Sequence, residues 1–300
     1  MTKKLLFIYN PCAGKGRIRG KLSDIIEILN GSGYEVTVCP TKQQGDAVNI
    51  AREKSSEYSL VVCCGGDGTL DEVVTGIMEQ EKSVPIGYIP AGSTNDFGIS
   101  LGLPKTMVEA AQIAVEGKRF SCDIGAFNKG TFVYIAAFGI FTDVSYETPQ
   151  SSKNILGHAA YVLEGLKKLS SLRTYELKAK YNGETAEGEF LFGMISNSTS
   201  VGGFKKITGK YVELNDGLFE VMLIRKPKNA LELNQIIAAL VMESMDASCI
   251  IYAKTDKIKI ESKEPVAWTL DGEFGGEHCN VEIISRPRAV EIMVPDFEIK

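Results

Sequence analysis

The stretch Leu60-Val61-Val62-Cys63-Cys64-Gly65-Gly66-Asp67-Gly68-Thr69 sets the architecture of the first half of the chain. Its five leading apolar residues predict a short strand buried on both faces. Glycines end that strand, and apolar residues over 70–79 then recur at helical spacing. Strand, glycine turn and helix form the unit from which parallel sheets are built. The unit repeats on either side. Residues 5–9 predict a strand, and 22–29 a helix stopped by Gly31 and Gly33. Residues 34–39 predict a strand and 46–54 a helix; 85–89 and 107–116 add one more of each. Ligands of such sheets bind at the carboxyl ends of the strands, so the loops there are the first place to look for chemistry.

Near Cys122 the period changes. Residues 119–127 and 131–138 flank Asn128-Lys129-Gly130, and 177–181 and 187–194 flank Asn182-Gly183; both are hairpin signals. Further strands are predicted at 218–224, 258–261, 266–270, 281–285 and 289–294, interrupted by helices at 154–169 and 231–243. The second half should be mainly antiparallel, a sandwich or curved sheet. No repeat or linker marks the boundary, so the expectation is two halves with a cleft between them.

Composition narrows the function classes. Apolar residues make up 44% of 300, with 30 glycines and 10 prolines, which excludes disorder and collagen-like repeats. Lys and Arg number 33 against 38 Asp and Glu, a net charge of −5, which argues against a uniformly basic nucleic-acid binder. The apolar run 236–242 stops at Glu243, short of the ~20 residues of a membrane-spanning helix. The start of the chain reads as a first strand, not a secretory leader. A cytoplasmic protein with at most peripheral lipid contact is expected. The seven cysteines, at 12, 39, 63, 64, 122, 249 and 279, follow no metal spacing and read as reduced core thiols. His158 and His278 are too few for a histidine metal site.

Three loops follow predicted strands. Gly65-Gly66-Asp67-Gly68-Thr69 opens a helix, where free N–H groups favour anions and glycine lets the backbone approach a phosphate. Asp67 is then either a cap or the neighbour of a cation that arrives with a nucleotide. Asn10-Pro11-Cys12-Ala13-Gly14-Lys15-Gly16 is neither a Walker loop nor a dinucleotide fingerprint, yet it offers N–H groups and Lys15 at the same sheet edge. Pro90-Ala91-Gly92-Ser93-Thr94-Asn95-Asp96 is small and polar where a ligand would sit. Asp96 and Asp123 join Asp67 as candidates for holding metal-bound water. In the second half, Thr269-Leu270-Asp271-Gly272-Glu273 is either an acidic site or a hairpin turn. Asn215-Asp216-Gly217 is either a turn or the holder of a structural cation.

Taken together, Asn10-Pro-x-Ala-Gly-x-Gly16, Gly65-Gly-Asp-Gly-Thr69, Gly92-Ser-Thr-Asn-Asp96 and Leu270-Asp-Gly-Glu273 resemble the diacylglycerol kinase catalytic family, which includes sphingosine and ceramide kinases and soluble bacterial lipid kinases. The similarity is greatest to the soluble kinases of Gram-positive bacteria. It extends to Asn215-Asp-Gly-Leu218 and Val144-Ser-Tyr-Glu-Thr-Pro149. The resemblance implies a Rossmann-like parallel-sheet domain with helices on both faces, formed by 1–123 and 288–300. It implies a β-sandwich lipid-substrate domain over 124–287.

The family's site residues carry over position by position. Asn10, Pro11, Cys12, Ala13 and Gly14 match the first nucleotide loop, and Thr41 a further nucleotide contact. Gly65 through Glu72, that is Gly65, Gly66, Asp67, Gly68, Thr69, Leu70, Asp71 and Glu72, match the stretch that binds ATP phosphates and ribose. Ser93 stands where the family has Thr, beside Asn95. Asp67, Asp96 and Asp123 match an acid network acting on Mg²⁺ through water. Glu273 matches the general base, with Asp271 beside it. Glu213, Asp216 and the backbone of Leu218 match a structural Mg²⁺ site, although Thr208-Gly-Lys-Tyr211 departs from the family pattern.

The implied activity is ATP- and Mg²⁺-dependent phosphorylation of diacylglycerol, reached from the inner face of the membrane, to phosphatidic acid. A homodimer is the assembly that relatives suggest. Two rivals share the glycine-rich loop. A NAD kinase should carry an Asn-Glu pair where this chain has Asn95-Asp96. A non-catalytic lipid or nucleotide sensor should lose one of the four acids. Residues 134–141 either line an acyl pocket or pack the core. The helix with His158, Lys167 and Lys168 either faces anionic headgroups or water. Gly202-Gly203-Phe204-Lys205-Lys206 would be a loop at the lipid entrance.

Overall fold

The computed structural model describes residues 3–140, 173–201, 204–205, 212–241 and 248–296. The helix expected at 154–169, with His158, Lys167 and Lys168, lies outside them, as do residues 144–149 and most of 202–206. The chain divides into two compact units, Met1–Ile124 with Pro287–Lys300, and Gly125–Arg286.

In the first unit, strands β1 (Lys3–Tyr9), β2 (Tyr34–Pro40), β3 (Leu60–Gly65) and β4 (Ile86–Pro90) alternate with helices α1 (Leu22–Gly31), α2 (Asp46–Lys54) and α3 (Asp67–Met78). The short α4 (Asp96–Ser100) and then α5 (Met107–Glu116) follow. All four strands pair in parallel: Leu5 faces Val36 and Leu60, and Val61 faces Ile86. The end of the long final strand joins them, Ile292 opposite Ile86, also in parallel. Leu5, Phe7, Val62 and Cys64 pack with Ile25, Leu29, Ala110, Ala111 and Ala114 from α1 and α5. Their neighbours Leu6, Ile8, Val61 and Cys63 are equally buried, and by the two-residue period of a strand they face the other way.

Small residues set the helix spacing. A Cβ on Gly76 of α3 would fall within contact of the Val48 carbonyl of α2, and one on Gly87 would lie 2.6 Å from Ala114 Cβ. Helix α5 starts where Thr106 Oγ1 accepts the Glu109 N–H at 3.3 Å and donates back to the Glu109 carboxylate at 2.6 Å. Thr106 is thus a side-chain N-cap, and it satisfies an otherwise orphaned donor.

Among the described residues, the strands of the second unit pair antiparallel. Its strands are the end of β5 (Lys118–Phe127), β6 (Gly130–Phe132), β7 (Ile135–Gly139), β8 (Tyr175–Tyr181) and β9 (Glu184–Ser196). The short pair β10 (Ser200–Val201) and β11 (Phe204–Lys205) comes next, then β12 (Phe219–Arg225), helix α6 (Ala230–Val241), β13 (Ile250–Thr255) and β14 (Lys257–Leu270). Strand β15 (Glu273–Val294) begins here and ends in the first unit. The long strands β9 and β14 each pair with β8 at one end and with β7 at the other. Strands that change partner along their length carry the chain between the layers of a sandwich. The core is aromatic: Trp268 meets Phe127 and Phe138 edge-on at 5.1 and 4.9 Å, and Phe138 meets Tyr175 at 5.7 Å.

Gly139 shows how tight this layer is. Its φ is +99°, and a Cβ there would run into the Leu191 carbonyl. Gly139→Ala is therefore expected to lower the unfolding free energy by more than about 2 kcal/mol, from strain and overpacking together. Chemical denaturation of the two proteins measures it; an unchanged midpoint would mean that the strand shifts without cost.

Several expectations differ from the structure for physical reasons. The strand expected at 131–138 breaks between β6 and β7, because the N–H groups of Val133, Tyr134 and Ile135 are turned to the Asp271 carboxylate. The strands expected at 258–261 and 266–270 are one strand with a register shift between Glu261 and Val266. Strand β13 and helix α4 were not expected. Cys63, Cys64, Cys122 and Cys249 are buried free thiols, but Cys12 is exposed and Cys39 and Cys279 are half-buried, so only four of the seven are core residues. Burial pushes the Cys64 thiol up to about 12 and raises Cys63 as well, which leaves both chemically quiet.

Candidate active site

In the first unit three loops meet at the carboxyl ends of β1, β3 and β4. Asn10 ties the first to the second: its N–H donates to the Cys64 carbonyl at 2.9 Å, and its side-chain amide approaches Thr69 Oγ1 at 3.5 Å. The Asn10 carbonyl oxygen of the side chain accepts the Cys12 N–H at 2.9 Å. Gly14, Lys15 and Gly16 are all left-handed, with φ of +54°, +64° and +73°. Three such residues in a row make a tight crook, and at Gly14 a side chain is forbidden, since a Cβ would strike the Ala91 carbonyl of the third loop.

The second and third loops touch through glycine. A Cβ on Gly92 would lie 2.7 Å from Gly66 Cα and 2.7 Å from Asn95 Oδ1. The Ala91 N–H donates to the Gly65 carbonyl at 2.7 Å. Asn95 folds back on Gly92: its Oδ1 accepts the Gly92 N–H at 2.8 Å, and its amide donates to the Gly92 carbonyl at 3.1 Å. Asn95 thus shapes the loop. Ser93 is exposed at its tip. Thr41 closes β2, its N–H donating to the Tyr9 carbonyl at 2.9 Å.

Asp67 is the first residue of α3 and reaches across to α4. Its carboxylate accepts the N–H groups of Asp96 at 3.1 Å and Phe97 at 3.4 Å. It therefore caps α4 and links the second loop to the third. Asp123 sits fully buried on β5, where it accepts the Arg288 N–H at 2.7 Å. Asp67 and Asp96 are brought together; Asp123 is bound into the strand pair. Among the described residues, no three His, Cys, Asp or Glu side chains form a group able to hold a metal ion. Glu72 reaches the loop that follows β2. Its carboxylate accepts the Gly45 N–H at 2.8 Å and the Ala47 N–H at 3.1 Å, capping α2. Arg17 was not singled out in the sequence, yet its guanidinium reaches the carbonyls of Gly14 at 3.1 Å and Gly92 at 3.4 Å.

In the second unit, Asp271 and Gly272 form a two-residue hairpin turn with φ of +49° and +87° between the paired residues Leu270 and Glu273. Both positive values suit the tight turn that matches strand twist. The Asp271 carboxylate is buried; Glu273, two residues on, is exposed.

The structural Mg²⁺ set of Glu213, Asp216 and Leu218 is not supported. Asp216 Oδ1 accepts the Leu218 N–H at 2.9 Å, and Oδ2 faces Lys254 Nζ at 3.2 Å. The same ammonium faces Glu220 at 3.1 Å. A divalent cation on Asp216 would have to share that place with a positive charge. Glu220 is buried enough that desolvation pushes its carboxyl up to about 7, against the opposing pull of Lys254.

Glycine-built anion loops on a parallel sheet, capped by acids, are the mark of a phosphate-handling fold. Residues 4–127 match the diacylglycerol kinase catalytic domain, and residues 136–294 match the YegS C-terminal NAD kinase beta sandwich-like domain. The chain is 34% identical over 295 residues to a diacylglycerol kinase of Bacillus subtilis, covering 98% of this chain and 97% of that one. It is 36% identical over 297 residues to a diacylglycerol kinase of Staphylococcus epidermidis, covering 98% and 93%. The crystal structure of a diacylglycerol kinase from Bacillus anthracis superposes with a TM-score of 0.83 at 25% identity, covering 98% of each chain. The protein belongs to the diacylglycerol kinase family and carries its catalytic kinase domain. No helix among the described residues is long and apolar enough to cross a membrane.

Proposed function

We propose that this chain transfers the γ-phosphoryl group of ATP to the free hydroxyl of diacylglycerol, giving phosphatidic acid. The observation that carries the reading is the glycine joint of Gly66 and Gly92, where two backbone loops approach so closely that a Cβ on Gly92 would lie 2.7 Å from Gly66 Cα. Such a cradle leaves N–H groups for phosphate oxygens and room for nothing bulkier. The residues around it fit ATP. Asn10 through Gly14 would form one wall, Gly65 through Thr69 the floor, and Gly92 through Asn95 the other wall, with Thr41, Leu70 and Asp71 as further contacts. The parallel order of the unit supports a Rossmann-like description of this domain. Asp67, Asp96 and Asp123 would act on a magnesium ion carried by the nucleotide. When bound, that ion offsets charge on the phosphoryl group in transfer. The acids reach it through water, because no three of them stand close enough to ligate it alone.

A primary alcohol barely ionises at neutral pH, so its proton must be taken during attack. Glu273 does this: the hydroxyl oxygen bonds to the γ-phosphorus, the bond to the β–γ bridging oxygen breaks, and the proton passes to the carboxylate. The lipid reaches the enzyme from the membrane surface, in keeping with a cytoplasmic protein in peripheral contact. No step runs through a second-unit metal.

ADP release tests the reading. With ATP and Mg²⁺, dioleoylglycerol in mixed micelles should stimulate release strongly, and soluble NAD or sphingosine should not. Stimulation by NAD alone would overturn the lipid reading. Gly92→Ala is expected to weaken ATP binding at least tenfold, since the loops must part to admit a methyl group. Titration calorimetry with a non-hydrolysable ATP analogue measures that; unchanged affinity would mean that the joint is not the phosphate cradle.

A further inference from the structure

We propose that Asp271 is the positioning residue for Glu273, anchoring the hairpin tip so that the base is presented from a fixed backbone. The inference rests on Glu273 acting as the general base. Among the described residues, no hydrogen bond or ion pair holds the Glu273 side chain, and the next residue, Phe274, is 60% exposed. Side-chain packing therefore does not place this carboxylate. Its backbone must.

That backbone is held by Asp271. One carboxylate oxygen accepts the Val133 N–H at 2.5 Å. The other accepts the N–H groups of Tyr134 at 3.0 Å and Ile135 at 2.9 Å. The Asp271 N–H donates in turn to the Ile135 carbonyl at 2.9 Å. Four bonds thus join the tip to a segment more than 130 residues earlier. Below the tip, Leu270 and Thr269 pair with Ala136 and Ala137 of β7. The carboxylate is only 5% exposed, and its acceptor sites are occupied by main-chain donors. Buried in this way it is built into the frame, and proton transfer falls to its exposed neighbour. Charge-assisted bonds to backbone donors are short and directional. A displacement of ~1 Å at a reacting group costs about 10²-fold in rate. A carboxamide at this position keeps the size but presents its own N–H groups to donors, so the tip must shift.

The test is a double-mutant cycle with kcat and KM for ATP and for dioleoylglycerol, each protein being checked for cooperative melting. Asp271→Asn is expected to lower kcat at least 30-fold with both KM values within about twofold, as loss of positioning requires. In a Glu273→Ala background the same change should cost less than twofold. Equal losses in both backgrounds would make Asp271 merely structural and sink the proposal, as would wild-type kcat in Asp271→Asn. Full activity in Glu273→Ala would instead sink the base assignment, whatever Asp271→Asn does. If Asp271→Asn does not fold, Gly272→Ala serves in its place. Its Cβ meets open space but is strained at φ +87°, so it disturbs the same turn from the solvent side; the same non-additive loss is expected, and an additive loss counts against the proposal.

Discussion

Glu273→Gln is expected to lower kcat by about 10²- to 10⁴-fold, the range that general-base catalysis supplies. The amide keeps the size of the side chain and removes the proton acceptor. Binding should survive, because the proposed nucleotide loops lie in the first unit and Glu273 lies on β15 of the second. The KM for ATP should stay within about twofold, and so should the melting temperature, since an exposed residue away from packing changes stability little. Steady-state kinetics with dioleoylglycerol micelles, with a melting curve in parallel, checks all three. A kcat within threefold of wild type would remove Glu273 from the chemistry while leaving the kinase assignment standing.

Asp67→Ala should be the next most damaging change. The carboxylate has two tasks that one substitution removes together. It caps α4 through the N–H groups of Asp96 and Phe97. It also stands within the glycine loop Gly65–Thr69 of the proposed nucleotide site. Loss of the cap costs about 1 kcal/mol of stability. Loss of the electrostatic role should lower kcat by about 10²- to 10³-fold, as removing one stabilising group from a charged transition state does. Asp67→Asn separates the tasks. It keeps an acceptor for one N–H group and so should recover part of the stability, with no recovery of rate. Equal rates for Asp67→Asn and wild type would confine Asp67 to a capping role.

Local patterns made the first unit legible. The unbroken apolar run 60–64 announced a strand buried on both faces, and β3 is buried along its whole length. Helix α3 begins at Asp67, three residues before the apolar spacing begins, because helix starts are set by caps and turns that periodicity does not register. The two hairpin signals were also legible: Asn182 and Gly183 both take positive φ. The rest depended on contacts distant in sequence. Nothing near Val133 predicts that its N–H is claimed by a carboxylate 138 positions later, which is why an expected strand broke there. Glu72 matches a nucleotide contact through the family resemblance, and the structure adds a task that the resemblance does not state: its oxygens accept the N–H groups of Gly45 and Ala47 at the start of α2. Asp216 read as a metal ligand until Lys254 was found on its carboxylate. In each case the residue type was right for the chemistry, and a partner invisible along the chain had already claimed it.

Transfer of phosphate from ATP to a lipid hydroxyl is visible in one assay: incubation with ATP labelled at the γ-phosphate, Mg²⁺ and dioleoylglycerol in mixed micelles, followed by chromatography of the lipid extract. Label is expected in phosphatidic acid, abolished by chelation of Mg²⁺ and nearly abolished in Glu273→Gln. Label absent from the lipid fraction, with ATP still bound by the protein, would rule out lipid phosphorylation as the chain's activity.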